Sequence, residues 1–404
     1  MKNRKRSVSS IIFVMVIVVS LLVPGLTVNA GGPENYKIDV PDIISVGDSM
    51  YAYDRDISDA MLKLSSSGSL QKYIRTTDIA SDILEYKGKL YYTEKNLNTR
   101  YLSLICYDTK TGTSSLVSDK IIGYLAGVTD WGCVINNNGK FSCCSSNGTR
   151  TVMKGTAGMN FIASNNRYAF FAKMISTTKE GGIYTKKYCI YRYSMADNKL
   201  SKIKHLTYKN KFSVYQISVS GYVFDNNNIV FGLNFWGDQY SDAYFMKADG
   251  SGFKKICERT GSVPYTCNNY VYFRLENGNS VKVYQNGAVK TLISKDGGTI
   301  IGQNTKNQYV VLRNNFSANA ELYVYNSLSE APLRSLAKLH EKAVSGKVTL
   351  KQITVNGMSG DVLLVTDRIE TDSYEYVGLY IINSRTGKST LISNYTKLNK
   401  SSLR

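Results

Sequence analysis

An apolar, tyrosine-rich strand pattern followed by a tight polar turn recurs about every 45 residues along this chain, and that recurrence constrains the fold more than any other feature. Leu104-Ile105-Cys106-Tyr107-Asp108 runs into Lys110-Thr111-Gly112, and Cys189-Ile190-Tyr191-Arg192-Tyr193 runs into Asp197-Asn198. Ala243 to Lys247 runs into Asp249-Gly250, Val281 to Tyr284 into Asn286-Gly287, and Gly378 to Ile382 into Arg385-Thr386-Gly387. A second strand rich in Tyr and Phe precedes each turn-bearing strand, as in Met50-Tyr51-Ala52-Tyr53, Tyr168-Ala169-Phe170-Phe171 and Tyr270-Val271-Tyr272-Phe273. Period-two alternation with β-branched and aromatic residues marks strands, and Asn-Gly or Asp-Gly turns close hairpins because both residues accept positive φ. Eight such units fit between Pro41 and Lys397. A four-stranded blade cannot cover both its faces alone, whereas a closed ring of blades can. The expected fold is all-β: a β-propeller of seven or eight four-stranded antiparallel blades, preceded by a signal peptide. A pair of β-sandwiches or a β-solenoid is the runner-up.

The N-terminus reads as an export signal. Lys2, Arg4, Lys5 and Arg6 precede an apolar run from Ile11 to Val23, which is broken at Pro24-Gly25. Val28-Asn29-Ala30 then fits the small-x-small cleavage pattern. The expected organisation is a signal peptide over 1–30, a lead-in over 31–41, the propeller over 42–397 and a tail over 398–404. No later apolar run reaches the roughly 20 residues of a membrane span. The protein is therefore expected outside the cell or at its surface, as a monomer. Its seven cysteines are an odd number, and several lie in strand-like runs. Buried free thiols are the default for most of them, and the best bridge candidate joins Cys133 to Cys143 or Cys144 across the turn at Asn136-Asn137-Asn138-Gly139.

Two motifs carry a resemblance. Lys89-Leu90-Tyr91-Tyr92-Thr93-Glu94 resembles the YWTD strand of low-density-lipoprotein-receptor propellers, with Tyr for Trp and Glu for Asp. Lys247-Ala248-Asp249-Gly250-Ser251-Gly252-Phe253 resembles the DGSG turn of TolB-like propellers. Together they are similar to bacterial extracellular propeller domains of the lipoprotein-receptor-like kind, over about residues 42–397. The resemblance implies a secreted scaffold with no catalytic residues to transfer. YWTD propellers have six blades, so eight units depart from that pattern.

In a propeller the second-to-third strand loops share one end of the ring, and variable loops on a rigid frame are where function concentrates. Four stand out. The unit-two loop ends at Arg100-Tyr101, and the unit-four loop spans Lys173 to Lys187 with Tyr184 within it. The unit-five loop holds Trp236, Asp238, Tyr240 and Asp242, aromatic faces beside carboxylates that suit a sugar. The unit-eight loop, Asp367 to Tyr376, holds Asp372 and Glu375 and suits a cation or a basic partner. Leu333 to Val344 has helical spacing and is expected as a short helical insertion, with His340 on its surface.

The chain contains only two histidines, and no nucleophile elbow, Walker loop or zinc motif. No catalytic residue, metal ligand or cofactor is assigned. The formal charge is +19, of which the four basic residues of the export signal account for four. The other lysines are scattered, so no nucleic-acid partner is expected, and an anionic surface polymer is the nearer match. The reading is a secreted, non-enzymatic binding or scaffold module whose partner is a cell-wall or other anionic glycan, or an envelope protein. The alternative is a glycan hydrolase or lyase that uses loop carboxylates.

Overall fold

A computed structural model of the chain describes residues 43–53, 60–77, 79–96, 98–210, 217–224, 226–235, 241–260, 265–267, 270–275, 279–336 and 346–399. All of them belong to one compact unit, Tyr36–Arg404. The expected signal peptide and lead-in lie outside the described residues, as does the expected C-terminal tail beyond Asn399.

Blade 1 comprises β1 Ile43–Val46, β2 Ser49–Ala52, β3 Ala60–Ser65 and β4 Leu70–Arg75. Blade 2 comprises β5 Leu84–Tyr86, β6 Lys89–Lys95, β7 Leu102–Asp108 and β8 Thr113–Ile121. Blade 3 comprises β9 Tyr124–Thr129, β10 Gly132–Asn137, β11 Lys140–Cys144 and β12 Arg150–Val152. Blade 4 comprises β13 Asn160–Ser164, β14 Tyr168–Glu180, β15 Ile183–Ser194 and β16 Lys199–Asn210. Blade 5 comprises β17 Ile217–Phe224, β18 Asn228–Phe235, β19 Ser241–Lys247 and β20 Lys254–Thr260. Blade 6 comprises β21 Tyr265–Cys267, β22 Tyr270–Arg274, β23 Ser280–Val283 and β24 Val289–Leu292. Blade 7 comprises β25 Thr299–Gln303, β26 Tyr309–Arg313, β27 Glu321–Tyr325 and β28 Arg334–Ser335. Blade 8 comprises β29 Val348–Ser359, β30 Val362–Thr371, β31 Tyr374–Asn383 and β32 Ser389–Asn399. Each blade is a four-stranded antiparallel meander of consecutive strands, which settles the blade number at eight.

The core sits between blades. Alternate residues of one strand feed two different joints: Leu62 and Leu64 pack toward blade 8, while Met61 packs toward blade 2. Similar clusters join blades 2 and 3, 3 and 4, 4 and 5, and 5 and 6, and one larger cluster runs through blades 6, 7 and 8. The middle strands are buried on both faces, which is why their sequences read as near-continuous apolar runs such as Phe170-Phe171-Ala172 and Val271-Tyr272-Phe273. Asn138 and Gly139 take φ of 49° and 77° in the turn between β10 and β11, the tight hairpin expected there.

Three expectations change. The loops of units four and eight are long hairpins: β14 and β15 run to a turn at Gly181-Gly182, and β30 and β31 to one at Asp372-Ser373. Leu333 to Leu336 is not helical, because Arg334 and Ser335 pair with Val324 and Tyr323 as the fourth strand of blade 7; residues 337–345, His340 among them, lie outside the described residues. Cys133 faces Cys144 across β10 and β11, yet all seven cysteines are free thiols. Cys133 and Cys144 are buried in the joint between blades 2 and 3 and behave there as small apolar groups. Burial pushes the Cys143 thiol up to about 11, and those of Cys257 and Cys267 up to about 12.

Candidate functional site

Among the second-to-third strand connections, which share one end of the ring, two are long hairpins. They come from blades 4 and 8, which stand opposite each other in a ring of eight. Tight turns at the other end, such as Lys87-Gly88, leave little projecting there.

The candidate residues fall at separate places on that end. Arg100 lies in the short turn between β6 and β7, its guanidinium 5.6 Å from the centre of the Tyr101 ring. Tyr184 is half-buried near the tip of the blade-4 hairpin, with Lys179 Nζ 5.1 Å from its ring centre. Trp236, Asp238 and Tyr240 lie outside the described residues. Asp242, at the start of β19, accepts from Lys255 Nζ at 3.1 Å and from the Tyr244 hydroxyl at 3.4 Å. Lys255 also donates to Glu258 at 2.8 Å, and Glu258 first, then Asp242, holds the Lys255 ammonium above its ordinary value. Glu375 is buried in β31 and accepts from Arg368 Nε, while Asp372 occupies the exposed tip. The carboxylates of Asp242 and Glu375 are thus already matched by cations. No group of three or more His, Cys, Asp or Glu among the described residues is placed to hold a metal ion.

The blade-4 hairpin carries a constellation that sequence reading passed over. Directly opposite residues on paired strands point to one face. Lys173, Cys189 and His205 form one such row, Ser176, Lys187 and Thr207 the next, and Thr178, Thr185 and Lys209 a third. Ser176, Thr178, Lys187, His205, Thr207 and Lys209 are exposed. The opposite face, with Lys186, Tyr188 and Leu206, is packed against Val219 and Leu233 of blade 5 or buried beside them. Lys173 anchors the base of the open face by donating to the Ala157 carbonyl at 3.4 Å. The signal for this face lay in the alternation from Lys202 to Lys209, and the fourth strand runs seven residues beyond Ile203, to Asn210.

At the other end, Trp131 follows the third blade's first strand and is 53% exposed. Beside it the Tyr86 hydroxyl donates to Asp130 at 2.6 Å, and Lys87 pairs with the same carboxylate. Lys87 first and then Tyr86 hold the Asp130 carboxyl below its usual range.

No family model matches the chain, and no curated protein matches it. Among solved structures, dipeptidyl peptidase 4 of Porphyromonas gingivalis superposes with a TM-score of 0.54 at 8% identity, covering 94% of this chain and 61% of that one. The likeness is one of fold. The chain spans 61% of that peptidase's length. BamB from Moraxella catarrhalis matches at 12% identity and TM-score 0.35, over 75% of this chain and 97% of that one. Oligogalacturonate lyase from Vibrio parahaemolyticus matches at 10% identity and TM-score 0.37, over 88% and 86%. Neither of these two scores carries an argument. None of the described residues forms a helix long and apolar enough to cross a membrane.

Proposed function

We propose that this chain is a secreted β-propeller of the lipoprotein-receptor-like kind that acts without catalysis, binding at the cell envelope through the hairpin-bearing end of its ring. One observation carries the reading: on that end the carboxylates of Asp242 and Glu375 are already paired with Lys255 and Arg368, while Ser176, Thr178, Lys187, Thr207 and Lys209 of the blade-4 hairpin face solvent. A glycosidase needs two carboxyl groups about 5–10 Å apart across one substrate. Asp242 and Glu375 instead stand in blades 5 and 8, each beside its own cation. A rigid ring with polar hairpins at one end suits recognition, because binding then costs little ordering entropy. The export signal at residues 1–30 supports an extracellular address.

The test is co-sedimentation of the full chain with purified envelope fractions. Retention at low ionic strength that weakens as salt rises is the expected result. Recovery of all the protein in the supernatant of every fraction would overturn the reading.

A further inference from the structure

The blade-4 segment is more basic than the chain as a whole. From Lys173 to Lys209 the chain has nine Lys and Arg against two acids, Glu180 and Asp197, whereas the whole chain has 50 against 31. The charge is laid out on a flat sheet. Lys173, Lys187 and Lys209 lie one on each of three neighbouring strands, in three successive rows, with His205 beside Cys189 in the first. Rows on one face are roughly 7 Å apart along the strand, and neighbouring strands are about 4.8 Å apart. Ser176, Thr178, Thr185 and Thr207 fill the positions between the lysines and supply hydroxyl donors and acceptors.

Protection of a sheet edge does not explain this arrangement in full. Edge protection calls for charge on an outermost strand. Lys187 stands on β15, which is paired with both β14 and β16 along the hairpin, whereas β14 has no β13 partner beyond Ala172. Apolar contact does not explain it either. Ile175, at the bulge, and Ile183, at the tip, are the exposed large hydrophobic residues of the hairpin, while Tyr188 and Leu206 point the other way toward blade 5. Three cations separated by hydroxyls, at diagonal intervals of roughly 8–9 Å, match a flexible single chain with one negative charge per repeat. They match poorly a nucleic-acid duplex, with a charge every ~1.7 Å of axis and grooves that take an inserted element.

Resting on the reading of an envelope-binding propeller, we infer that the open face of the blade-4 hairpin is a docking strip for a linear polyol-phosphate polymer of the cell wall. Its phosphodiesters pair with Lys173, Lys187 and Lys209, and the intervening hydroxyls meet Ser176, Thr178 and Thr207.

The test compares two double variants of equal charge change in the full-length protein. Lys187→Glu with Lys209→Glu reverses the strip, while Lys72→Glu with Lys290→Glu reverses exposed lysines on the outer strands of blades 1 and 6. The probe is purified poly(glycerol phosphate), and circular dichroism confirms that both variants fold. Lysine near an anionic surface contributes enough that losing two should weaken binding by about thirtyfold. The control pair should bind within about twofold of the parent, as expected for distant charges screened beyond ~10 Å. Equal losses in the two variants would mean a diffuse field and overturn the strip. Equal or tighter binding of the parent to phosphatidylglycerol vesicles or to duplex DNA would overturn the polymer assignment. Retention on envelope stripped of its phosphate polymer, without binding to the free polymer, would overturn this inference and leave the envelope-binding reading standing. Absence of retention on any fraction would remove both.

Discussion

Lys282 shows what the ring demands of a charged side chain placed inside it. The residue is 4% exposed on β23, and its ammonium lies 3.4 Å from the centre of the Tyr270 ring and 5.1 Å from that of Tyr284. It donates to Gln303 Oε1 of blade 7 at 2.5 Å. Burial depresses the Lys282 ammonium below its ordinary value, the expected direction for a cation taken out of water. The π faces and the amide oxygen offset that cost, and the aliphatic stem fills the joint between blades 6 and 7. Lys282→Ala should therefore cost about 2–4 kcal/mol, since it removes packing, the cation–π contact and the hydrogen bond together. Lys282→Met keeps the stem and removes the desolvated charge, and should cost less than half as much. Urea unfolding of both variants checks the order, and equal losses would contradict it.

The elements tell a similar story about tyrosine. The second and third strands bury Tyr51, Tyr92, Tyr107, Tyr188 and Tyr272 almost completely. Burial first, then the neighbouring Tyr107, pushes the Tyr51 phenol up to about 12, and burial raises Tyr92 and Tyr188 further in the same direction. The folded state thus holds these protons more tightly than the unfolded chain, whose tyrosines titrate near 10. Their contribution to stability is complete below pH ~10 and is lost as pH rises through the native values. In an alkaline titration, tyrosinate absorbance should lag behind that of free tyrosine and then rise together with loss of the far-ultraviolet dichroism. A smooth rise near pH 10 with the fold intact would contradict this. The strands themselves were legible because both faces of each inner strand are apolar, as in Tyr270 to Phe273. The hairpins of blades 4 and 8 were less so. Their buried positions hold Lys186, Asp367 and Glu375, so a period-two pattern with Ile369 and Thr371 buried read as a polar loop. The basic strip escaped notice for a related reason: its three lysines come from three strands, and only the register brings them to one face.

For the molecule as a whole, the joint between blades 1 and 8 decides how the ring fails. Every blade is made of four consecutive strands, so no strand from one chain end completes a blade begun at the other. The seven other joints are also crossed by the chain running from one blade to the next; this one is held by side chains. Ile43, Met50, Leu62 and Leu64 of blade 1 pack on Val362, Leu364, Leu379 and Ile381 of blade 8. Asn383 Nδ2 donates to the Ser67 carbonyl at 3.0 Å, and the Ser45 and Ser359 hydroxyls share a hydrogen bond. Gly68, at φ +86°, lets the turn between β3 and β4 sit against blade 8, where an added Cβ would stand 3.1 Å from Ile381 and 3.2 Å from Val362. Removing a core leucine costs about 2–5 kcal/mol wherever it stands. The consequence differs by place, because a joint without a chain crossing can part before the rest of the ring unfolds. Leu64→Ala or Leu364→Ala should therefore accelerate amide hydrogen exchange in blades 1 and 8 well before blades 4 and 5. Leu233→Ala, in the joint between blades 4 and 5, should leave blades 1 and 8 no faster than their neighbours. Hydrogen exchange read by mass spectrometry separates these outcomes, and uniform acceleration around the ring in the seam variants would show that the eight blades open as one unit.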